Sequence, residues 1–357
     1  MTADPILTLA WLVLAHLVAD FLLQTGGIVA AKTSSGGRAL GGLLAHGIGV
    51  AAALVPVAFA FGAAGFWALL FVTASHLVID WTKVLATRRA ETRALAGANR
   101  RHEGKPPAAG LGRAWTPLPA AYFALDQLAH AATLVVAWAV WLAGQPPTVE
   151  WTGAVERIVG SWDRSVVHDA TLAVVVFAGL LIANVRGGAL LVATLVRPLE
   201  AATEMAAPGG APVPAAQAAP AASAAAASST DPANLAAAAG PDRPRGWSFR
   251  IGPFAGRAFA DPPPPAADTA VVIGERVTLP PPAQVGATIG VIERLLIVTF
   301  VLVGADAAIG FVVGAKTIAR FRQLDDRDFA EYYLLGTLAS VSIAIVTAVI
   351  ARAALAG

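Results

Sequence analysis

The chain has 357 residues, 57% of them hydrophobic and 13% charged, with a formal net charge of +2. Mean hydropathy is +0.66 and the isoelectric point is 9.2, whereas a soluble domain is about 45–50% apolar and about 25% charged, so an ordinary soluble globule is excluded. The absence of cysteine also excludes disulfides, thiol nucleophiles, thiolate metal sites and iron–sulfur clusters.

Apolar runs at or above the roughly 18 residues a spanning helix needs recur along the chain. The short alternating strands of a β-barrel do not. The first run, Ile6 to Leu23, follows MTADP, which lacks a positive n-region, and continues past any small-residue cleavage site into His16 and Asp20. It therefore reads as a retained helix and not as a signal peptide. A glycine-rich loop with Lys32 and Arg38 leads to helices at Leu43 to Phe61 and Gly65 to Leu85, joined near GAAG. The polar segment ATRRAETRALAGANRRHEGKPP precedes a helix at Leu118 to Trp141. The segment QPPTVEWTGAVERIVGSWDRSVVHD, read as a loop, precedes a helix at Ala170 to Val196. Trp141, Trp151 and Trp162 sit near these ends, where amphipathic rings prefer the interface.

From Glu200 to Gly240 the chain is dominated by alanine and proline, with little that can offset the entropy of ordering a backbone. A proline-rich stretch follows, in which TAVVIGERVTL is apolar enough for a brief strand. Residues 289–321 form an apolar run interrupted by Glu293, Arg294, Asp306 and Lys316. One helix from Arg294 to Lys316 would put Lys316, Arg320, Arg322 and Arg327 outside. A hairpin turning at Gly304-Ala305-Asp306 keeps them inside and is preferred. Gly310 and Gly314 offer a small-residue pair for close helix approach. A last helix covers Tyr332 to Ala353.

The expected fold is an all-α polytopic membrane bundle of about 7–8 membrane segments. Residues 1–196 form a five-helix domain, 197–285 a largely disordered Ala/Pro-rich linker, and 286–357 the C-terminal membrane helices. The basic loops carrying Lys32, Arg38, Arg88, Arg89, Arg93, Arg100, Arg101, Lys105 and Arg113 fall on one side of the membrane. The positive-inside rule puts that side, and the linker, in the cytoplasm of a bacterial inner membrane, with the N-terminus outside. No Lys/Arg cluster is interleaved with aromatic residues, so nucleic acid is not an expected partner; the lipid bilayer is.

Four of the six histidines lie in the first four spans. His16 and Asp20 stand four apart, as do His76 and Asp80, and Asp126 and His130 repeat the spacing in reverse order. His46 opens the second helix, Gln24 extends the first polar stripe and Gln127 adjoins the third pair. Four residues along a helix is about one turn, so each pair shares a face. Ionisable groups in spans cost several kcal/mol and usually face the bundle interior. All seven ionisable groups fall toward the cytoplasmic ends of their helices, in one layer.

Three readings stand. His16, Asp20, His46, His76, Asp80 and His130 offer nitrogen and oxygen ligands suited to zinc, manganese or iron, enough for two ions. A metal with an open position would activate water against an amphiphilic phosphate or ester on the cytoplasmic face, with Asp126 as general base because Gln127 and His130 crowd its turn. No serine elbow, HExxH motif or Walker loop defines an enzyme further. The same groups equally suit an ion- or proton-coupled transporter or channel. They also suit a structural or partner-binding protein whose pairs satisfy themselves and hold helices together. His102 and His168 read as solvent-exposed loop residues, and Glu293-Arg294 as an internal ion pair with Lys316, Arg320 and Asp325 within reach.

AHLVADFLLQT, LLAHG, SHLVIDWTK and FALDQLAHAA resemble the DUF3307 family of bacterial multi-pass membrane proteins. IGVIERLLIVTFVLVGADAAIGFVVGAKTIARF and FAEYYLLGTLAS resemble the C-terminal part of its longer members. The resemblance implies no activity. It marks His16, Asp20, Gln24, His46, His76, Asp80, Asp126, Gln127 and His130 as characteristic, together with Glu293, Arg294, Lys316 and Arg320. The low-complexity insertion and the sparse first loop depart from the family pattern.

Overall fold

The computed structural model describes residues 4–101, 116–196, 246–251, 254–259 and 282–356. Helix α1, Pro5–Val18, starts where the Asp4 carboxylate accepts the Ile6 N–H at 2.8 Å, and it runs without interruption into a π-helical turn, Ala19–Leu23. Such wider turns often occur at functional sites, and this one carries Asp20. Helix α2, Gly26–Lys32, is short and capped by the Thr25 hydroxyl.

Gly37–Arg101 is continuously helical for 65 residues except at Gly62, where φ is 56° and ψ is −127°. A straight helix of that length would approach roughly 100 Å, far beyond a bilayer core of about 30 Å. Gly62 supplies a positive φ that other residues rarely adopt, and the chain reverses there into two legs, α3 (37–61) and α4 (63–101). They run antiparallel. A Cβ at Gly65 would meet the Val57 carbonyl, Gly47 faces Leu77, and His46 faces His76.

Helix α5, Leu118–Ala137, ends in a second π-helical turn, Trp138–Leu142. The amphipathic α6, Val149–Val159, precedes α7, which begins at Arg164 and runs through a third π-helical turn, Ala183–Gly187, to Val196. Asp163 caps α7, and hydrogen bonds from the Ser165 hydroxyl and backbone N–H hold its carboxyl below the usual carboxylate range. The C-terminal helices are α8 (Pro282–Leu302), α9 (Ala307–Ala319) and α10 (Arg327–Ala356).

Five helical stretches are long and apolar enough to cross a membrane: Pro5–Leu23, Gly37–Gly97, Leu118–Leu142, Arg164–Val196 and Phe329–Ala356; Ala307–Ala319 is apolar but shorter. Large apolar side chains such as Ile48, Leu128 and Val140 are exposed on outer faces, while His46, His76 and Asp80 are buried. That inside-out distribution fits lipid around the bundle. The protein is a polytopic helical membrane protein.

Two buried cores organise it. Leu12, Val50, Leu54, Val72 and Leu134 join α1, α3, α4 and α5. Leu180, Ile297, Val301, Ala344 and Ala348 join α7, α8 and α10.

Several expectations need correction. The segment after Leu85 is helical to Arg101, because its alanine, arginine and glutamate are good helix formers and polarity marks only an exit from lipid. The segment 145–169 is not a simple loop but contains α6 and the start of α7. His168 accordingly lies in the first turns of a helix and bonds Asp4 Oδ2 at 2.6 Å and Asp169 Oδ1 at 3.1 Å. The chain does turn at Gly304 (φ 74°), and Lys316 Nζ meets Glu293 Oε2 at 2.5 Å across the resulting α8–α9 hairpin. A Cβ at Gly310 or Gly314 would meet nothing within 4 Å, so no helix among the described residues approaches that pair closely.

Residues 227–281 cluster apart from the helices, and only part of them is described. The described part is an antiparallel hairpin, β1 (Gly246–Ile251) with β2 (Phe254–Phe259), in register from Gly246↔Phe259 to Ile251↔Phe254. The fold is therefore almost, but not wholly, helical. The rest of the expected linker, and His102, lie outside the described residues.

Candidate metal centre

All seven ionisable groups of the sequence pattern converge at one place in the N-terminal bundle. His46, His76, Asp80, Asp126 and His130 are at most 4% exposed, and His16 and the Asp20 side chain are 7% exposed.

The local pairs are not the closest ones. His16 Nε2 lies 3.9 Å from Asp20 Oδ2, and His130 Nδ1 lies 3.7 Å from Asp126 Oδ1. Shorter approaches cross between helices. Asp20 Oδ1 is 3.1 Å from His76 Nε2 and 3.3 Å from His46 Nε2, His46 Nε2 is 3.3 Å from Asp80 Oδ2, and the two Nε2 atoms are 2.9 Å apart. Self-satisfied pairs are thus the wrong description, because one turn of helix separates the partners further than helix packing does.

These spacings have a meaning. Four ligands at about 2.0–2.1 Å around a tetrahedral ion stand roughly 3.3 Å apart. The four separations above are close to that edge length. Asp20 Oδ1, although flanked by two ring nitrogens, makes no aligned hydrogen bond among the described residues. Asp20 Oδ1, His46 Nε2 and His76 Nε2 thus lie within 3.3 Å of one another, and His46, His76 and Asp80 each offer a ligand atom within 4.8 Å of the others, so these side chains could hold an ion.

Two lysines complete the charge pattern, and sequence reading missed both. Lys32 Nζ donates to Asp80 Oδ2 at 2.6 Å and to Gln24 Oε1 at 3.2 Å, and it is buried. Lys83 Nζ donates to Asp126 Oδ2 at 2.7 Å and stands 5.0 Å from the centroid of the Phe123 ring. Lys83 was detectable, since it follows Asp80 by three residues on the same helix. Lys32 was not, because its short helix looks like a basic loop.

Helix α2 acts as a cap over this end of the bundle. Arg88 Nη2 donates to the carbonyls of Thr33 and Ser34, the latter at 2.6 Å. Gly42 lets α2 approach α3, since a Cβ there would stand 2.4 Å from the Lys32 backbone nitrogen. Gly42→Ala is expected to cost about 1–3 kcal/mol, as overpacking usually does, and to lower the unfolding midpoint in detergent. Gly41→Ala, where a Cβ meets nothing within 4 Å, serves as the control and is expected to leave the midpoint unchanged or higher.

The amide of Gln127 links two carboxylates. Its Nε2 donates to Asp20 Oδ2 at 3.3 Å and to Asp126 Oδ2 at 3.1 Å, so its Oε1 must accept, and His16 Nε2 faces it at 3.4 Å. His16 then carries its proton on Nε2 and orients Gln127. Its ring also stacks on His130, with centroids 4.8 Å apart.

Glu293, Arg294, Lys316 and Arg320 bond elsewhere. Glu293 pairs with Lys316 and not with Arg294. Arg294 is buried and donates to the Asn184 carbonyl at 2.7 Å and the Ser340 hydroxyl at 3.1 Å. Arg320 is half-buried and reaches Gln323 at 3.5 Å.

Residues 8–152 match a family model described as Protein of unknown function (DUF3307). That stretch runs from α1 into α6 and contains every residue of the candidate centre, while the C-terminal helices lie outside it. No curated protein and no solved structure matches the chain significantly.

Proposed function

We propose that the chain is a non-hydrolytic membrane protein whose N-terminal bundle is organised around a buried divalent metal held by Asp20, His46, His76 and Asp80. The observation that carries this reading is the convergence of four ligand atoms from two helices and a π-helical turn, 2.9–3.3 Å apart along the four measured edges. Zinc fits this nitrogen and oxygen set, and manganese or iron are the other candidates. Bound there, the ion would neutralise carboxylates that are otherwise costly to bury and tie α1, α3 and α4 together.

A closed site favours this role over hydrolysis. Catalytic metals keep a position open to water and substrate, whereas structural ones are enclosed by protein. Here the ligand side chains are at most 7% exposed, and α2 caps them. Asp126, the expected general base, has one oxygen engaged by Lys83. Hydrolysis of an amphiphilic phosphate or ester would require α2 to lift.

One observation supports a second reading, an ion- or proton-coupled transporter. Asp80 and Asp126 pair with the ammonium groups of Lys32 and Lys83, whereas Asp20 meets only histidines and Gln127, which leaves one negative charge for a proton or cation to balance when the histidines are neutral. In proteoliposomes this reading expects metal-dependent proton flux, and the structural reading expects none.

Loop charge supports placement in a bacterial inner membrane with the N-terminus outside and the residue 197–285 linker in the cytoplasm, and the multi-pass architecture supports the membrane location. Lys32 no longer counts toward that charge bias because it is paired inside the bundle. Arg88, Arg89 and Arg93 still do. The reversal at Gly62 and the α8–α9 hairpin support more crossings than five.

The direct test is elemental analysis of detergent-purified protein beside a His76→Ala/Asp80→Ala double variant. The expected result is stoichiometric transition metal in the wild type and loss of the tightly held ion in the variant. Metal-replete wild type without bound transition metal would sink the proposal.

A further inference from the structure

Asp20 has two faces. Its Oδ1 looks toward His46 and His76, while Oδ2 looks toward Gln127 and His16. On that second side stand Asp126 and His130, and one ligand atom from each, together with one from Asp20, falls within 4.8 Å of the others.

Two buried atoms there have no hydrogen-bond partner among the described residues: Asp126 Oδ1 and His130 Nε2. The His130 ring is oriented for them. Its Nδ1 donates to the Asp126 backbone carbonyl at 2.8 Å, so the proton sits on Nδ1 and Nε2 presents a lone pair. Metal-bound histidines are commonly held this way, by a second hydrogen bond that fixes the tautomer.

We propose that Asp20, Asp126 and His130 form a second divalent-cation position, and that Asp20 bridges the two ions through its two oxygens. The centre is then a carboxylate-bridged dinuclear site. This rests on the first position proposed above. Paired metals typically stand about 3.5–4 Å apart, a separation one carboxylate can bridge. The second position offers two carboxylates and one imidazole, a more oxygen-rich set than the first, which suits an ion such as Mn2+ or Fe2+.

The neighbours of this position have defined roles. Gln127 Nε2 lies between Asp20 Oδ2 and Asp126 Oδ2 and bonds both. An ion at this position takes over the Asp20 oxygen, and the Gln127 amide turns aside. Lys83 keeps Asp126 Oδ2 and leaves Oδ1 as the ligand. His16 is a positioning residue that acts through Gln127.

The test uses the full chain in detergent, stripped with chelator and titrated with Mn2+, with metal content and electron paramagnetic resonance as readouts. The expected result is two Mn2+ per chain with an exchange-coupled signal. His130→Ala and the near-isosteric Asp126→Asn are each expected to leave one ion with an uncoupled six-line signal, and Asp126→Asn decides the matter if the alanine variant does not fold. One ion in wild type, unchanged in both variants, would overturn the second position and leave the first intact. Two ions without coupling would overturn the Asp20 bridge. No bound ion in wild type would overturn both positions.

Discussion

Asp20→Asn is expected to weaken divalent-metal binding by more than about 100-fold, while the bundle stays folded. Loss of a residue that merely orients a ligand typically costs 10–100-fold, and Asp20 is itself a ligand at the first position and a bridge to the second. Its Oδ1 lies 3.3 Å from His46 Nε2 and 3.1 Å from His76 Nε2, and its Oδ2 faces the Gln127 side. The amide keeps the shape of the carboxylate but removes a charge that is expensive to bury. The unfolding midpoint without added metal is therefore expected to hold or rise, while the metal-induced increase in midpoint disappears. Calorimetric titration with Zn2+ beside thermal unfolding separates the two effects. Asparagine binding metal as well as aspartate would count against any role for Asp20 as a ligand.

Lys32→Met is expected to give the largest loss of stability in the N-terminal bundle. Lys32 Nζ meets Asp80 Oδ2 at 2.6 Å, with side chains 7% and 2% exposed. Removing one partner of a buried ion pair leaves an uncompensated charge and costs about 3–5 kcal/mol. Methionine keeps most of the packing volume, so the loss reports charge and not a cavity. Adding Asp80→Asn is expected to recover much of the loss, because the two changes couple through one contact. Zn2+ is expected to raise the midpoint of the Lys32→Met variant more than that of wild type, since an ion at Asp80 supplies the missing positive charge. Equal shifts in the two proteins would count against a metal beside Asp80.

The seven ionisable residues were legible in the sequence because the cost of burying charge attaches to each residue by itself. A histidine or aspartate inside an apolar run needs a partner wherever its helix sits. The four-residue spacing was also legible, since it depends on helical pitch alone. The pairing drawn from that spacing was less successful. His16 is farther from Asp20 than His46 and His76 are, because the contacts that matter run between helices.

Lys32 shows the limit from the other side. A single lysine after glycines and alanines looks like a topological marker, and only the approach of α2 over Gly42 carries it to Asp80. Likewise, Glu293-Arg294 looked like an ion pair by adjacency. Neighbouring residues on a helix point in different directions, and the two side chains go to Lys316 and to the Asn184 carbonyl.

By itself the sequence determined that this is a helical membrane protein and which side chains it cannot leave facing lipid. Composition, run length and helical pitch are local quantities, and they carry that much. Tertiary structure decided which of those side chains meet. Rotation and depth of each helix, the reversal at Gly62 and the π-helical turn at Ala19–Leu23 set the directions of Asp20, His46, His76 and Asp80. Those variables are settled by packing between segments distant in the chain, and no repeat within one helix encodes them.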